Sequence, residues 1–110
     1  MEPLHGLLDM LVLQTLAGRP LHGYGIARSI RDRSDETLAI EFGSLYPALK
    51  RLELKGWIAS KWGISEHNRR AKYYRLTPAG RKKLRQEQSD WQHFASAITR
   101  VMKIVPEGQP

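Results

Sequence analysis

The chain has 110 residues, a formal net charge of +7, a sequence isoelectric point near 10.1 and no cysteine. A length of this order supports one domain with a modest core, and 41% apolar residues place it among globular rather than disordered chains. The absence of cysteine excludes disulfides, thiolate metal sites and a cysteine nucleophile, while the excess of cations points to a polyanionic partner, nucleic acid before membrane. No apolar run approaches the ~18 residues needed to cross a bilayer, and nothing at the N-terminus resembles a signal peptide, so a cytoplasmic protein with no membrane partner is expected.

In chain order, Leu4, Leu7, Leu8, Leu11, Val12 and Leu16 recur at three- and four-residue spacing and predict a first helix over about residues 4–17, ended by Gly18 and Pro20. Met10 and Leu13 widen its apolar stripe, so the helix needs cover on two sides: its own domain and a partner chain. His22-Gly23-Tyr24-Gly25 opens a second helix, to about Arg33, with Ile26, Ala27 and Ile30 as its buried side. Leu38, Ile40 and Phe42 alternate with Ala39 and Glu41, which predicts a short strand over 38–42.

The central element is Gly43 to Ile58. Gly43 permits a sharp entry, Ser44 is the expected N-cap, Pro47 is expected in the first turn, and Gly56 stands where a left-handed terminating residue is wanted. At about 100° per residue, Leu45, Ala48, Leu49 and Leu52 share one face, and Tyr46, Pro47, Lys50 and Arg51 share the other. Leu54 falls on the polar side and is expected to rest against the next element. A short helix buried on one side and carrying an aromatic and two cations on the other suits a DNA major groove.

Residues 57–62 and 72–76 read as two strands, with Tyr73 and Arg75 on one face of the second and Lys72, Tyr74 and Leu76 on the other. Between them lies a polar loop that includes Asn68, Arg69 and Arg70. A hairpin with a basic tip directly after a helix-turn-helix is a wing. Thr77 is a natural N-cap and Pro78 is preorganised for the first position of a last helix, expected over about 78–104.

From His67 to Arg85 there are eight Lys or Arg residues, namely Arg69, Arg70, Lys72, Arg75, Arg81, Lys82, Lys83 and Arg85. Phosphates bind such surfaces through counterion release, whatever the base sequence, and Asn68, Arg69 and Arg70 suit the backbone or a minor groove. No catalytic arrangement is visible. His5, His22, His67 and His93 lack the spacing of metal ligands, and there is no phosphate loop or dinucleotide fingerprint, so neither metal nor cofactor nor enzymatic activity is expected.

In the last helix Leu84, Trp91, Ile98 and Val105 repeat every seven residues, with Phe94 and Val101 filling the second seam position. A helix of ~25 residues is ~37 Å long, more than so small a domain can cover. The seam is therefore expected to meet another chain, a symmetric dimer being the default. The expected interface is Leu4, Leu8, Leu11, Trp91, Phe94, Ile98 and Val101. Trp91 has two readings: a buried anchor of that interface, or one wall of a cavity for a flat aromatic ligand.

The motifs Leu8-Asp9-Met10-Leu11-Val12-Leu13, Leu21-His22-Gly23-Tyr24, Gly43-Ser44-Leu45-Tyr46-Pro47-Ala48-Leu49, Leu52-Glu53, Gly56-Trp57-Ile58, Lys72-Tyr73-Tyr74 and Leu76-Thr77-Pro78-Ala79-Gly80 resemble the PadR-like transcriptional regulators, in order, over about residues 5–85. The length resembles that of the short subfamily with a single C-terminal helix. Gly25 departs from the larger residue often seen after this tyrosine. The resemblance implies a homodimeric repressor on an inverted repeat, with Tyr24, Ser44, Tyr46 and Lys72 at the DNA surface. Some family members also take flat aromatic ligands at the dimer interface, so a small aromatic effector there is a further implication.

Residues and resemblance together give a mainly α (α+β) fold: a winged helix-turn-helix over residues 1–76, a dimerisation helix over 77–105 and a tail over 106–110. The expected DNA-binding residues are Tyr24, Ser44, Tyr46, Pro47, Lys50, Arg51, Asn68, Arg69, Arg70 and Lys72. The alternative function is a winged-helix module for structured RNA or a protein partner.

Overall fold

The computed structural model describes residues 6–103. Four helices, α1 (Leu7–Leu16), α2 (Gly23–Arg33), α3 (Phe42–Leu54) and α4 (Pro78–Met102), surround a small antiparallel sheet of β1 (Leu21–His22), β2 (Ile58–Ile64) and β3 (Arg70–Leu76). Strand order is β1-β3-β2, with Leu21 opposite Tyr74 on one edge of β3 and Ile58 opposite Leu76 on the other. This α+β arrangement is a winged helix.

One core holds the elements together. Val12, Leu13 and Leu16 of α1 meet Ile26 and Ile30 of α2, Leu45, Leu49 and Leu52 of α3, Ile58, Tyr74 and Leu76 of the sheet, and Leu84 of α4. The four apolar residues expected on one side of the central helix, Leu45, Ala48, Leu49 and Leu52, are fully buried. On α1 the balance differs from the expected stripe. Leu13, expected only to widen it, is core, whereas Leu8 and Leu11 are half-buried. Leu4 lies outside the described residues.

The ends of α3 differ in how readily sequence announces them. At the C-terminus Gly56 takes φ 77°, its N–H bonds the Glu53 carbonyl at 3.0 Å, and Trp57 N–H bonds the Leu52 carbonyl at 3.1 Å, which is a Schellman closure. At the N-terminus the expectation fails. The helix begins at Phe42 with Glu41 as N-cap and no side-chain capping bond, so Ser44 lies inside the first turn and caps nothing. Pro47 then falls beyond the four free N–H groups and removes a backbone bond that the Gly43 carbonyl would have accepted. The strand expected over 38–42 is absent. Leu38 and Phe42 are exposed and only Ile40 packs on the core, so the alternation has no sheet to join. Leu54 projects into solvent instead of resting on the next element.

Two local features are hidden from the sequence. β1 is two residues long, too short to show a period, and exists because β3 offers it an edge. Its second residue caps α2, since His22 Nδ1 accepts the Gly25 N–H at 2.9 Å. That bond requires an imidazole with an unprotonated Nδ1. The start of α4 follows expectation: Thr77 Oγ1 accepts the Gly80 N–H at 3.0 Å and its hydroxyl donates to the Gly56 carbonyl at 2.6 Å. Thr77 N–H also donates to the Trp57 carbonyl at 3.1 Å, so the end of α3 and the start of α4 are tied by backbone. Gly80 has no alternative there, because a Cβ would stand 2.0 Å from the Trp57 carbonyl oxygen.

Candidate nucleic-acid interface

Burial of one side of α3 leaves Ser44, Tyr46, Pro47, Lys50 and Arg51 exposed on the rest of its surface. Tyr46 does not wave freely. Its ring stacks on Phe42 with centroids 5.8 Å apart and an interplanar angle of 28°, and Phe42 stacks on Tyr24 of α2 at 6.5 Å and 20°. Three half-exposed aromatics thus form a ladder across the two helices of the helix-turn-helix. Offset rings at such distances are favourable by ~0.5–1.5 kcal/mol per pair. Gly23 makes room for the ladder, since a Cβ there would lie 2.7 Å from the Tyr46 hydroxyl and 2.9 Å from its ring.

The opposite wall is the wing. Its tip turns at Ser65–Arg69, where Ser65 N–H bonds the Arg69 carbonyl at 2.7 Å and Asn68 adopts φ 58°. Asn68 therefore has a conformational role, as asparagine tolerates this region better than most residues. Arg69 is exposed, and the Arg70 guanidinium lies 4.5 Å from the centroid of the Trp62 ring. Lys72 Nζ is 3.7 Å from Glu53 Oε1, while the other Glu53 oxygen accepts the Ser60 hydroxyl at 2.6 Å. Lys72 also lies 5.9 Å from the Tyr74 ring centroid. Burial, then the charge of Glu53, then Tyr46 push the Tyr74 hydroxyl above its ordinary value of 10.0.

Between the two walls is an open cleft of about 790 Å³, lined by His22, Gly23, Tyr24, Tyr46, Trp62, Ser65, His67, Arg69, Arg70, Ala71, Lys72 and Tyr74. Tyr24, Tyr46, Arg69, Arg70 and Lys72 of the expected site are brought together here. Arg51 is not. It reaches the other way, its guanidinium 2.8 Å from Asp9 of α1. Ser44, Pro47 and Lys50 sit on the exposed surface of α3 outside the cleft lining. Sequence reasoning misses Phe42, Trp62, His22 and Gly23 as parts of this site. It assigns Phe42 to a strand and reads Trp62 only as strand composition. The period-two placement of Trp62 opposite Lys72 is the signal that could have found it.

Along α4 the seam residues become freer toward the C-terminus. Leu84 is buried, Phe94 is half-buried, and Trp91, Ile98 and Val101 are 38%, 43% and 79% exposed. Val105 lies outside the described residues. Among the described residues no cluster of His, Asp or Glu could hold a metal ion, and no helix is long and apolar enough to cross a membrane.

Residues 12–86 match the model of the family described as "Transcriptional regulator PadR-like family". A solved transcriptional regulator from Clostridium thermocellum is 34% identical, with a TM-score of 0.80 over 96% of this chain and all of that one. A PadR family transcription regulator from Clostridium difficile is 30% identical, with a TM-score of 0.76 over 88% of this chain and 99% of its own. A protein of Lysinibacillus sphaericus is 28% identical over 100 residues, spanning 91% of this chain and 92% of that protein. The matched segment runs from within α1 to the first half of α4 and takes in both walls of the cleft. By that match and by its winged-helix fold, the chain belongs to the PadR-like family of DNA-binding transcriptional regulators.

Proposed function

We propose that this protein is a homodimeric repressor that binds an inverted repeat in duplex DNA, α3 entering the major groove and the wing lying on the adjacent backbone or minor groove. The observation that carries the reading is the cleft itself: Tyr24 of α2, Tyr46 of α3 and three cations of the wing, Arg69, Arg70 and Lys72, open onto one space. Base edges are read by the exposed residues of α3, with Tyr46 and Lys50 the foremost candidates. Ser44, Pro47 and Tyr24 approach the sugar–phosphate, and Arg69, Arg70 and Lys72 supply phosphate contacts. Asn68 shapes the tip. Arg51 takes part once it exchanges Asp9 for a phosphate.

Dimerisation is assigned to α4 with α1. The first three turns of α4 are held on the winged domain, through Gly80, Leu84 and the hydrogen bond that Gln88 donates to Gln14 of α1, and the remainder extends a molecule whose principal dimensions are 56 × 27 × 23 Å. Leu8, Leu11, Trp91, Phe94, Ile98 and Val101 are the seam. Two linked reading helices then engage half-sites one helical turn apart, ~34–36 Å. Beside Trp91, an open space of about 600 Å³ is lined by Met10, Leu11, Gln14, Arg85, Gln88, Ser89 and Gln92. A flat aromatic effector is assigned there as the second reading of Trp91.

Genome-wide mapping of bound DNA tests the proposal. A palindromic motif upstream of genes whose transcription rises when the protein is deleted is the expected result. Binding that prefers structured RNA, or shows no preference among duplex sequences, would overturn it in favour of a general nucleic-acid module.

A further inference from the structure

Trp62 is 57% exposed in the outer half of β2, beyond the part of the strand that packs on the core. Strand alternation explains which way it faces. Ile58, Ser60 and Trp62 of β2 share a face with Leu76, Tyr74, Lys72 and Arg70 of β3. The inner end of that face, Ile58, Tyr74 and Leu76, is core; its outer end, Trp62 with Lys72 and Arg70, lines the cleft opposite Tyr46. The indole is thus carried out of the core into the space between wing and α3.

There it meets the guanidinium of Arg70, 4.5 Å from the ring centroid. A guanidinium over an indole is attracted by the ring quadrupole and keeps its N–H groups free around its edge. An arginine so placed is held in position before any phosphate arrives, and less side-chain freedom is lost on binding. Lys72 is likewise restrained, by Glu53 and Tyr74.

Resting on the DNA-binding reading above, we propose that Trp62 and Arg70 act as one composite contact to the backbone of duplex DNA. Arg70 donates to a phosphate, and Trp62 both holds Arg70 and packs its exposed ring edge against the adjoining deoxyribose. Trp62 is a DNA-binding residue by this assignment, and a positioning residue for Arg70. The contact is indifferent to base sequence, so it acts on any duplex.

The test uses the full chain, a labelled duplex of random sequence at low salt, and two signals recorded together: anisotropy of the label and intrinsic tryptophan emission. In the wild type, emission changes as the duplex saturates; in Trp62→Phe, most of that change is gone although anisotropy still reports binding. Trp62→Ala weakens binding roughly three- to tenfold, of the order a partly exposed cation–π contact provides. Arg70→Ala weakens it at least as much, and the double variant loses less than the two single losses combined, because part of what Trp62 contributes acts through Arg70. An emission change of equal size in wild type and Trp62→Phe would overturn the contact. Additive losses would overturn the coupling. If Trp62→Ala fails to fold, by circular dichroism, the Trp62→Phe comparison decides alone. No anisotropy change for wild type with any duplex would sink the DNA reading itself, and tighter binding to a single-stranded oligonucleotide would replace the duplex by an unpaired strand stacked on the indole.

Discussion

Gly23→Ala asks whether the aromatic ladder is a functional device or surface packing. The added methyl would sit 2.7 Å from the Tyr46 hydroxyl and 2.9 Å from two ring carbons, closer than real contacts allow, so the ring must move. Tyr46 is 50% exposed and can swing into solvent, but it then leaves Phe42. Losing that stack costs ~0.5–1.5 kcal/mol. Against this, alanine is better than glycine in a helix by up to ~1 kcal/mol, less at a first position. The net loss of stability is therefore expected at about 0–1 kcal/mol, a shift of at most ~8 °C in Tm. DNA affinity should respond far more. A misplaced Tyr46 would forfeit the base-edge interaction proposed for it, about 1–3 kcal/mol, or roughly 5- to 150-fold on the operator. Urea denaturation at fixed protein concentration gives the first quantity and anisotropy with labelled operator gives the second. An unfolding free energy lowered by more than about 3 kcal/mol would mean that Tyr46 is not free to yield. Unchanged operator affinity with a stable fold would mean that the position of Tyr46 is irrelevant to DNA.

Gly80→Ala is expected to do the reverse of Gly23→Ala. Its methyl meets the backbone carbonyl of Trp57 at 2.0 Å, nothing flexible can move aside, and a loss above ~3 kcal/mol in urea titration is expected; a near-neutral result would refute the tight junction of α3 and α4. Because the folded-state pKa of Tyr74 is raised above 10.0, the unfolded chain loses that proton first as pH rises. Stability is then unaffected below pH 10.0 and falls above it, and Tyr74→Phe should flatten that alkaline decline in thermal melts taken across the range. Neutralising Arg69, Arg70 and Lys72 together should lower the log–log salt slope of duplex binding by about 3, one for each phosphate no longer neutralised, and an unchanged slope would place the wing off the DNA. Trp91→Asp with Phe94→Asp should give a monomer in sedimentation, since unpaired carboxylates in an interface cost several kcal/mol, and should lose most operator affinity with it; a dimer of wild-type strength would remove the seam from the interface.

The residues that punctuate this chain can be read without a structure, because their effects are local. Gly56 ends α3 through its own φ, Thr77 and Pro78 start α4 through bonds within four residues, and the spacing of Leu45, Ala48, Leu49 and Leu52 sets which side of α3 is buried. The hairpin of β2 and β3 and the cations at its tip are legible for the same reason, and with them the winged-helix fold. What only the tertiary structure decided are relations between segments distant in sequence. β1 needs the edge of β3, and Phe42 joins α3 and stacks on Tyr24 rather than extending a strand that would have no partner. Arg51 lies on the polar side of its helix by angle alone, yet Asp9, 42 residues earlier, draws it toward α1. Trp62 enters the cleft because β2 outruns the core it starts in. Periodicity assigns a side chain to a face of its own element; what stands opposite that face depends on how the elements pack, and here packing made one cleft from α2, α3 and the wing.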